Sequence, residues 1–294
     1  MQIVTDSGTD VNFTPEQLRD YNVHILPLTV TLDGKSYKEG VDIQPEEFYQ
    51  LMEQTEDLPL TSQPSVGEFA QLYRELAKSD PDILSIHISS GLSGTSASAR
   101  AAAEITPEAN VTVVDSLSLS VPAGWQVEAA ARAARAGWAR TNILELVQRI
   151  ADSTDVIYTL KELKYLIHGG RISHLKGLLA SVLNIKPMIG VEKQQGTYIS
   201  HGQARSFSNA LKGLGEYVSR KVHPDSVLRM QVVHASNIDG AQTLIDELSR
   251  RFICRWVPVR QLSLVLGAHV GRSMVGVAFA PAEIFDAIPQ VSES

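Results

Sequence analysis

Apolar positions recur along this chain in two periods, near two in short runs and near 3.6 in longer ones, and the two kinds of run alternate through its first half. Gln2 to Thr5 predicts a strand that ends in Asp6-Ser7-Gly8-Thr9-Asp10, and Thr14-Pro15-Glu16 opens the helix that follows. Val23 to Leu32 alternates as one strand, Asp33-Gly34 turns it, and Lys35 to Tyr37 returns as the other half of a hairpin. Pro45-Glu46-Glu47 starts a helix through about Glu53. Pro64 bars helix in the residue before it, so Thr61 and Ser62 are held extended, and Ser65 caps a helix from Val66 to Ala77. Ile83 to Ile88 and Val111 to Asp115 are two more strands. Pro122 starts an Ala-rich helix through about Ala136, and Thr141 caps another from Ile143 to Ala151. Strands alternating with helices predict α/β architecture with a parallel, doubly wound sheet.

Beyond about residue 155 the pattern changes, which predicts a domain 1–155 followed by a domain 156–294 of α+β type with an antiparallel sheet. Val156 to Leu160 predicts a strand and Lys161 to Ile167 a helical turn, broken at Gly169-Gly170. Leu175, Leu178, Leu179, Val182 and Leu183 follow helical spacing up to Ile185, and Pro187 stops that helix. A hairpin around Gln194-Gln195-Gly196, helices at Ser206 to Val222 and Ile238 to Phe252, and strands at Leu228 to His234, Arg255 to Gln261 and Met274 to Phe279 complete the half.

Composition narrows the chemistry. With 44% apolar and 20% charged residues, the 294-residue chain has the make-up of an ordinary globular protein. Its 26 basic and 33 acidic residues leave a net charge of −7, and no basic run is interleaved with aromatics, which argues against nucleic acid. Cys254 is the single cysteine, so neither an internal disulfide nor a thiolate metal cluster can form. Nothing resembles a secretory leader and no window matches the roughly 18 apolar residues of a membrane span, so a cytoplasmic location is expected.

The stretch Ile86 to Ala99, IHISSGLSGTSASA, concentrates the candidate chemistry. A strand runs into a Ser/Gly/Thr turn and then a helix, which gathers hydroxyls and free amides at the strand's C-terminal end. Such a turn suits a carboxylate or a phosphate. On the residues alone, Ser93 serves equally as a helix cap, Thr61 as an ordinary strand residue, His269 as a loop histidine with a structural hydrogen bond, and Arg171 as a domain-interface ion pair. Asp6 and Asp115 read as turn caps rather than metal ligands, and no histidine spacing indicates zinc.

Asp6-Ser7, Thr61-Ser62-Gln63-Pro64-Ser65 with Phe69, Ser89-Ser90-Gly91-Leu92-Ser93-Gly94-Thr95, Asp115-Ser116, Gly169-Gly170-Arg171-Ile172-Ser173, Lys186-Pro187 and Gly267-Ala268-His269-Val270-Gly271 occur in this order across nearly the whole chain. The ordered set resembles the DegV family, which includes the fatty-acid-binding subunits of bacterial fatty acid kinase. The resemblance implies a non-enzymatic two-domain protein with no resident cofactor or metal. Such a protein holds a long-chain fatty acid in a tunnel between its domains and presents the carboxylate to a separate ATP-dependent kinase subunit, with room for transient contact with a membrane surface. Carried over by motif, the carboxylate contacts are Thr61, Ser93 and His269, with Ser62 and the amides of Gly94 and Thr95 beside them. In this assignment His269 orients the carboxylate and lowers its negative charge. Arg171 and Arg205 fall at the partner or phosphoryl face. Ile172, Leu175, Leu178, Leu179 and Val182 supply the acyl-chain wall or lid. The chain departs from the family pattern at His168, at Phe207-Ser208, at Val121-Pro122 and at Arg272-Ser273.

Two other classes compete. A serine hydrolase or acyltransferase would use Ser93 as nucleophile and His269 as base, although the sequence around Ser93 lacks the second glycine of a nucleophile elbow. A nucleotide or phosphate binder would need a P-loop lysine or a GxGxxG turn, and neither is present.

Overall fold

The computed structural model describes residues 1–173, 175 and 185–289. In the first half the strands are β1 (Gln2–Asp6), β2 (Val23–Leu26), β3 (Thr29–Leu32), β4 (Lys35–Lys38), β5 (Leu60–Ser62), β6 (Asp82–His87) and β7 (Asn110–Asp115). In the second half they are β8 (Asp155–Thr159), β9 (Lys186–Val191), β10 (Tyr198–Ala204), β11 (Val227–His234), β12 (Ile253–Trp256), β13 (Arg260–Gln261) and β14 (Val275–Pro281). Strands β2-β1-β6-β7 form a parallel sheet, as the alternation of strands and helices predicts. Side chains alternate across it. Val4 and Ile83 meet the helices Val66–Ala77 and Thr95–Glu104 on one face, while Ile3, Leu84 and Ile86 pack against the helix Ser120–Arg135 on the other.

That last helix is buried on almost every side, its polar Gln126 and Glu128 included. Its Trp125 donates to Gln231 of β11 at 3.2 Å, and the Arg229 guanidinium lies over the Trp125 ring while it holds Glu128 at 2.8 Å. One buried apolar cluster accordingly runs from the parallel sheet into the second half of the chain.

The second-half sheet has the order β10-β9-β8-β14-β11-β12, with β13 also on β11. It is mixed rather than antiparallel, because β12 and β13 pair with β11 in parallel. Prolines account for two further differences from expectation. The run Val23 to Leu32 is divided at Pro27, whose missing N–H cannot continue a ladder; β2 joins the parallel sheet, and β3 forms a separate antiparallel sheet with β4 and β5. Arg255 to Gln261 is divided in the same way around Pro258. Thr141 lies inside the helix Arg140–Ser153, whose N-cap is Ala139. His269 sits on a short helix, Leu264–Val270, and not in a loop. The expected helix from Leu175 to Ile185 falls, apart from its end residues, outside the described residues.

The helix caps carry a measurable expectation. Ser65 Oγ accepts from the Glu68 amide at 3.2 Å, and Glu68 returns the bond to the Ser65 amide at 2.9 Å. Lys38 also bonds Glu68, and with the hydrogen bonds that the carboxyl accepts from the Ser65 amide and from Ser65 Oγ, each at 2.9 Å, it pulls the Glu68 carboxyl down to about 2. Ser65→Ala is expected to lower stability by about 1 kcal/mol in urea unfolding, the usual worth of such a cap.

Candidate functional site

Five polar side chains from separate parts of the chain line one cavity: Thr61 on β5, Ser93 in the loop after β6, Arg171 after the Gly169-Gly170 break, Tyr198 on β10 and His269 on the helix Leu264–Val270. The remaining lining is apolar, from Leu28, Ile88, Leu92, Leu119, Val265 and Leu266. Among the described residues its water-accessible volume is about 30 Å³, which suits a head group.

Thr61 Oγ1 and His269 Nε2 lie 2.8 Å apart. Burial, reinforced by the positive charge of Arg171 and by His168, holds the His269 imidazole down at about 3, so the ring is neutral at neutral pH. It contributes a hydrogen bond and not a cation. The tautomer decides what Thr61 can do. With the proton on Nε2 the ring donates to Thr61 Oγ1 and leaves the threonine proton free for an anionic oxygen; with the proton on Nδ1, Thr61 must donate to the ring instead. His269 Nδ1 is buried and has no hydrogen-bond partner among the described residues, and a Cβ on Gly169 would stand 2.1 Å from it. The backbone of Gly169 therefore forms the wall against which the ring rests.

Arg171 is held by two carbonyls, donating through Nη1 to Gly169 O at 2.7 Å and through Nε to Leu92 O at 3.2 Å. Its remaining N–H groups are the cationic donors of the cavity. Ser93 Oγ lies 2.9 Å from Thr95 Oγ1 and accepts from the Thr95 amide at 3.3 Å, so it sits at the start of the helix Thr95–Glu104, for which Gly94 is the N-cap. The loop is braced from the other half of the chain. A Cβ on Gly91 would come within 2.3 Å of Gln195 O, in the turn between β9 and β10.

The structure does not gather all the sequence-predicted residues. Ser62 is exposed, because neighbours on a strand point to opposite sides and Thr61 takes the inward one. Gly94 and Thr95 adjoin Ser93 without lining the cavity, Gly94 packing on the Gln63 amide. Arg205 is exposed beyond the end of β10. Ile172 and Leu175 are buried in the shared apolar cluster, while Leu178, Leu179 and Val182 lie outside the described residues. Sequence reasoning missed Tyr198, a strand residue with no motif around it, whose hydroxyl burial pushes up to about 12. Among the described residues a hydrolase arrangement is not formed: His269 Nε2 meets Thr61 rather than Ser93, and Nδ1 has no orienting carboxylate.

A family model described as "Uncharacterised protein, DegV family" matches residues 1–282. The chain belongs to the DegV family. A DegV domain-containing protein of Staphylococcus aureus (strain N315) is 34% identical over 275 residues, covering 94% of this chain and 96% of the relative. Among solved structures, a DegV family protein from Thermus thermophilus superposes with a TM-score of 0.86 at 29% identity over 95% of this chain and 99% of its own, and is described by its fatty acid binding. DegV from Bacillus subtilis, described as a fatty acid binding protein, gives 0.84 at 27% identity over 95% and 98% of the two chains. The parallel first sheet followed by a mixed second sheet is thus a DegV architecture. Among the described residues no helix is long and apolar enough to cross a membrane.

Proposed function

We propose that this DegV protein binds a long-chain fatty acid between an N-terminal unit, 1–155, and a C-terminal unit, 156–294, and presents its carboxylate to a separate ATP-dependent kinase subunit. The observation that carries the binding half is the Thr61–His269 hydrogen bond in a cavity that Ser93, Arg171 and Tyr198 also line and whose other described lining is apolar. A carboxylate leaves water only where hydrogen bonds and charge replace hydration. Thr61 and Ser93 donate to it, and Arg171, rather than a neutral His269, supplies the positive charge. The acyl chain provides the affinity, since each buried CH₂ contributes roughly 0.8 kcal/mol. Ile172 and Leu175 are the described members of the proposed chain wall. The fatty-acid-binding relatives from Thermus and Bacillus support this half of the reading.

The presenting half rests on chemistry. The cavity offers donors and a cation to a carboxylate, while the sequence carries no nucleotide-binding motif, so ATP and Mg²⁺ come from the partner. Exposed Arg205, with Arg171, faces that partner or the incoming phosphoryl group.

Organic extracts of the purified protein, analysed by mass spectrometry, are expected to hold one long-chain fatty acid per chain, reduced in Thr61→Val and Ser93→Ala. An empty extract from a protein that also fails to take up added fatty acid refutes the binding. Acyl phosphate made equally by a kinase subunit with and without this protein refutes the presentation.

A further inference from the structure

Thr61 and His269 belong to different elements, and one side chain ties those elements together. Glu39 follows β4, in the same three-stranded sheet, β4-β3-β5, whose β5 carries Thr61. Its amide donates to Leu28 O at 3.0 Å, which fixes it to the chain entering β3. Its carboxyl crosses to the start of the helix that carries His269: Oε1 accepts from the Leu264 amide, and Oε2 shares a hydrogen bond with Ser7 Oγ at 2.7 Å. Asp10 grips the residue before, accepting from the Ser263 amide at 3.0 Å and from Ser120 Oγ at 2.6 Å. Asp10 and Ser120 both hold left-handed backbone, at φ 48° and 51°, which non-glycine residues keep only where their surroundings enforce it. Tyr49 closes the remaining side, for a Cβ on Gly267 would lie 2.1 Å from its hydroxyl.

We propose that Glu39 is a positioning residue for the head-group site: by joining the sheet of Thr61 to the helix of His269, it sets the register in which the two side chains meet. The proposal rests on the head-group role given to Thr61 and His269 above.

The titratable and charged groups around Glu39 are Asp10 and Asp6 from the 3₁₀ turn Ser7–Thr9 and its flanks, Tyr49 from the helix Pro45–Gln54, and Arg260, whose Nε lies 3.6 Å from Asp10. Burial pushes the Glu39 carboxyl up to about 8, with Asp10 adding to the rise, and burial lifts Asp10 to about 6. A folded-state pKa above the unfolded one means that the folded chain holds the extra proton; the associated stability is present at low pH and is lost as pH rises towards 8. At neutral pH Glu39 is an uncharged link whose Oε2–H donates to Ser7 Oγ; above 8 it becomes an anion beside Asp10 and the Ser7 hydroxyl donates to it instead.

The test compares wild type, Glu39→Gln, Glu39→Ala and Thr61→Val, using a fluorescent long-chain fatty acid and the ring resonances of His269 by NMR. Glu39→Gln is expected to keep the wild-type His269 resonances and affinity at pH 7. Wild type is expected to lose affinity as Glu39 ionises between pH 7 and 9, and Glu39→Gln is expected to remove that loss. Glu39→Ala is expected to shift the ring resonances and weaken binding by about five- to tenfold, the scale of one lost cap. Unchanged resonances in a folded Glu39→Ala overturn the positioning role. If that variant does not fold, a wild-type pH profile in Glu39→Gln overturns it. Unchanged affinity in Thr61→Val overturns the head-group reading instead, and the ring resonances then still decide for or against Glu39.

Discussion

Gly169→Ala is expected to yield a folded protein that has lost most of its affinity for fatty acid. Gly169 has φ −72° and ψ −4°, a backbone shape that alanine adopts freely, so the new methyl meets no backbone strain. The loss of chain entropy in the unfolded state would even favour folding by roughly 0.4–1 kcal/mol. What the methyl meets is His269, with Nδ1 at 2.1 Å and Cε1 at 2.6 Å. The ring is buried on a helix packed into the core and is not the free end of a flexible chain, so it must turn. Turning it breaks the 2.8 Å bond to Thr61. The head-group site then lacks an oriented threonine proton, and the loss of one hydrogen bond to a charged oxygen costs about 2 kcal/mol, or roughly thirtyfold in affinity. Fatty acid titration together with a thermal melt separates the two effects. A large fall in melting temperature with affinity retained would mean that Gly169 serves folding alone.

Much of this was legible in the residues, and the reasons differ from element to element. Local signals located the parallel sheet well, because Thr14, Ser65 and the prolines at positions 15 and 45 act within one turn of the helices they begin. The fate of Val23 to Leu32 was harder: both sides of Pro27 are good strand, and only tertiary pairing sends β2 to one sheet and β3 to another. The helix Leu264–Val270 escaped for a related reason. Seven residues followed by glycine and capped from afar by Glu39 and Asp10 carry little local signal. Thr61, Ser93, Arg171 and His269 are singled out by ordered motifs, and all four line one cavity. Ser62 was not separable from Thr61 by motif, although strand alternation already assigns the two to opposite faces.

Asp6→Ala is expected to destabilise the protein more than any other substitution discussed, by about 3–5 kcal/mol, with loss of binding as a consequence. The Asp6 carboxylate is fully buried at the end of β1, and it satisfies three donors: the Gly8 amide at 3.0 Å, the Ile88 amide at 3.1 Å and His87 Nδ1 at 2.9 Å. Behind His87 the chain of bonds continues through Ser85 at 2.7 Å to Tyr73 at 2.8 Å, on the face of the sheet covered by the helix Val66–Ala77. Alanine leaves the two amides and the imidazole without a partner in a region water does not reach, and each stranded group carries its own desolvation cost. The damage spreads to the site along a short path. Ile88 lines the cavity, and the residues after it form the loop that ends in Ser93. Asp6→Asn separates the contributions, since its amide keeps an acceptor for one backbone N–H but turns a donor towards another. Its destabilisation should be about half that of alanine. Urea unfolding of both variants checks the order, and equal losses would show that the negative charge, and not the count of satisfied donors, holds β1 to β6 at this end of the sheet.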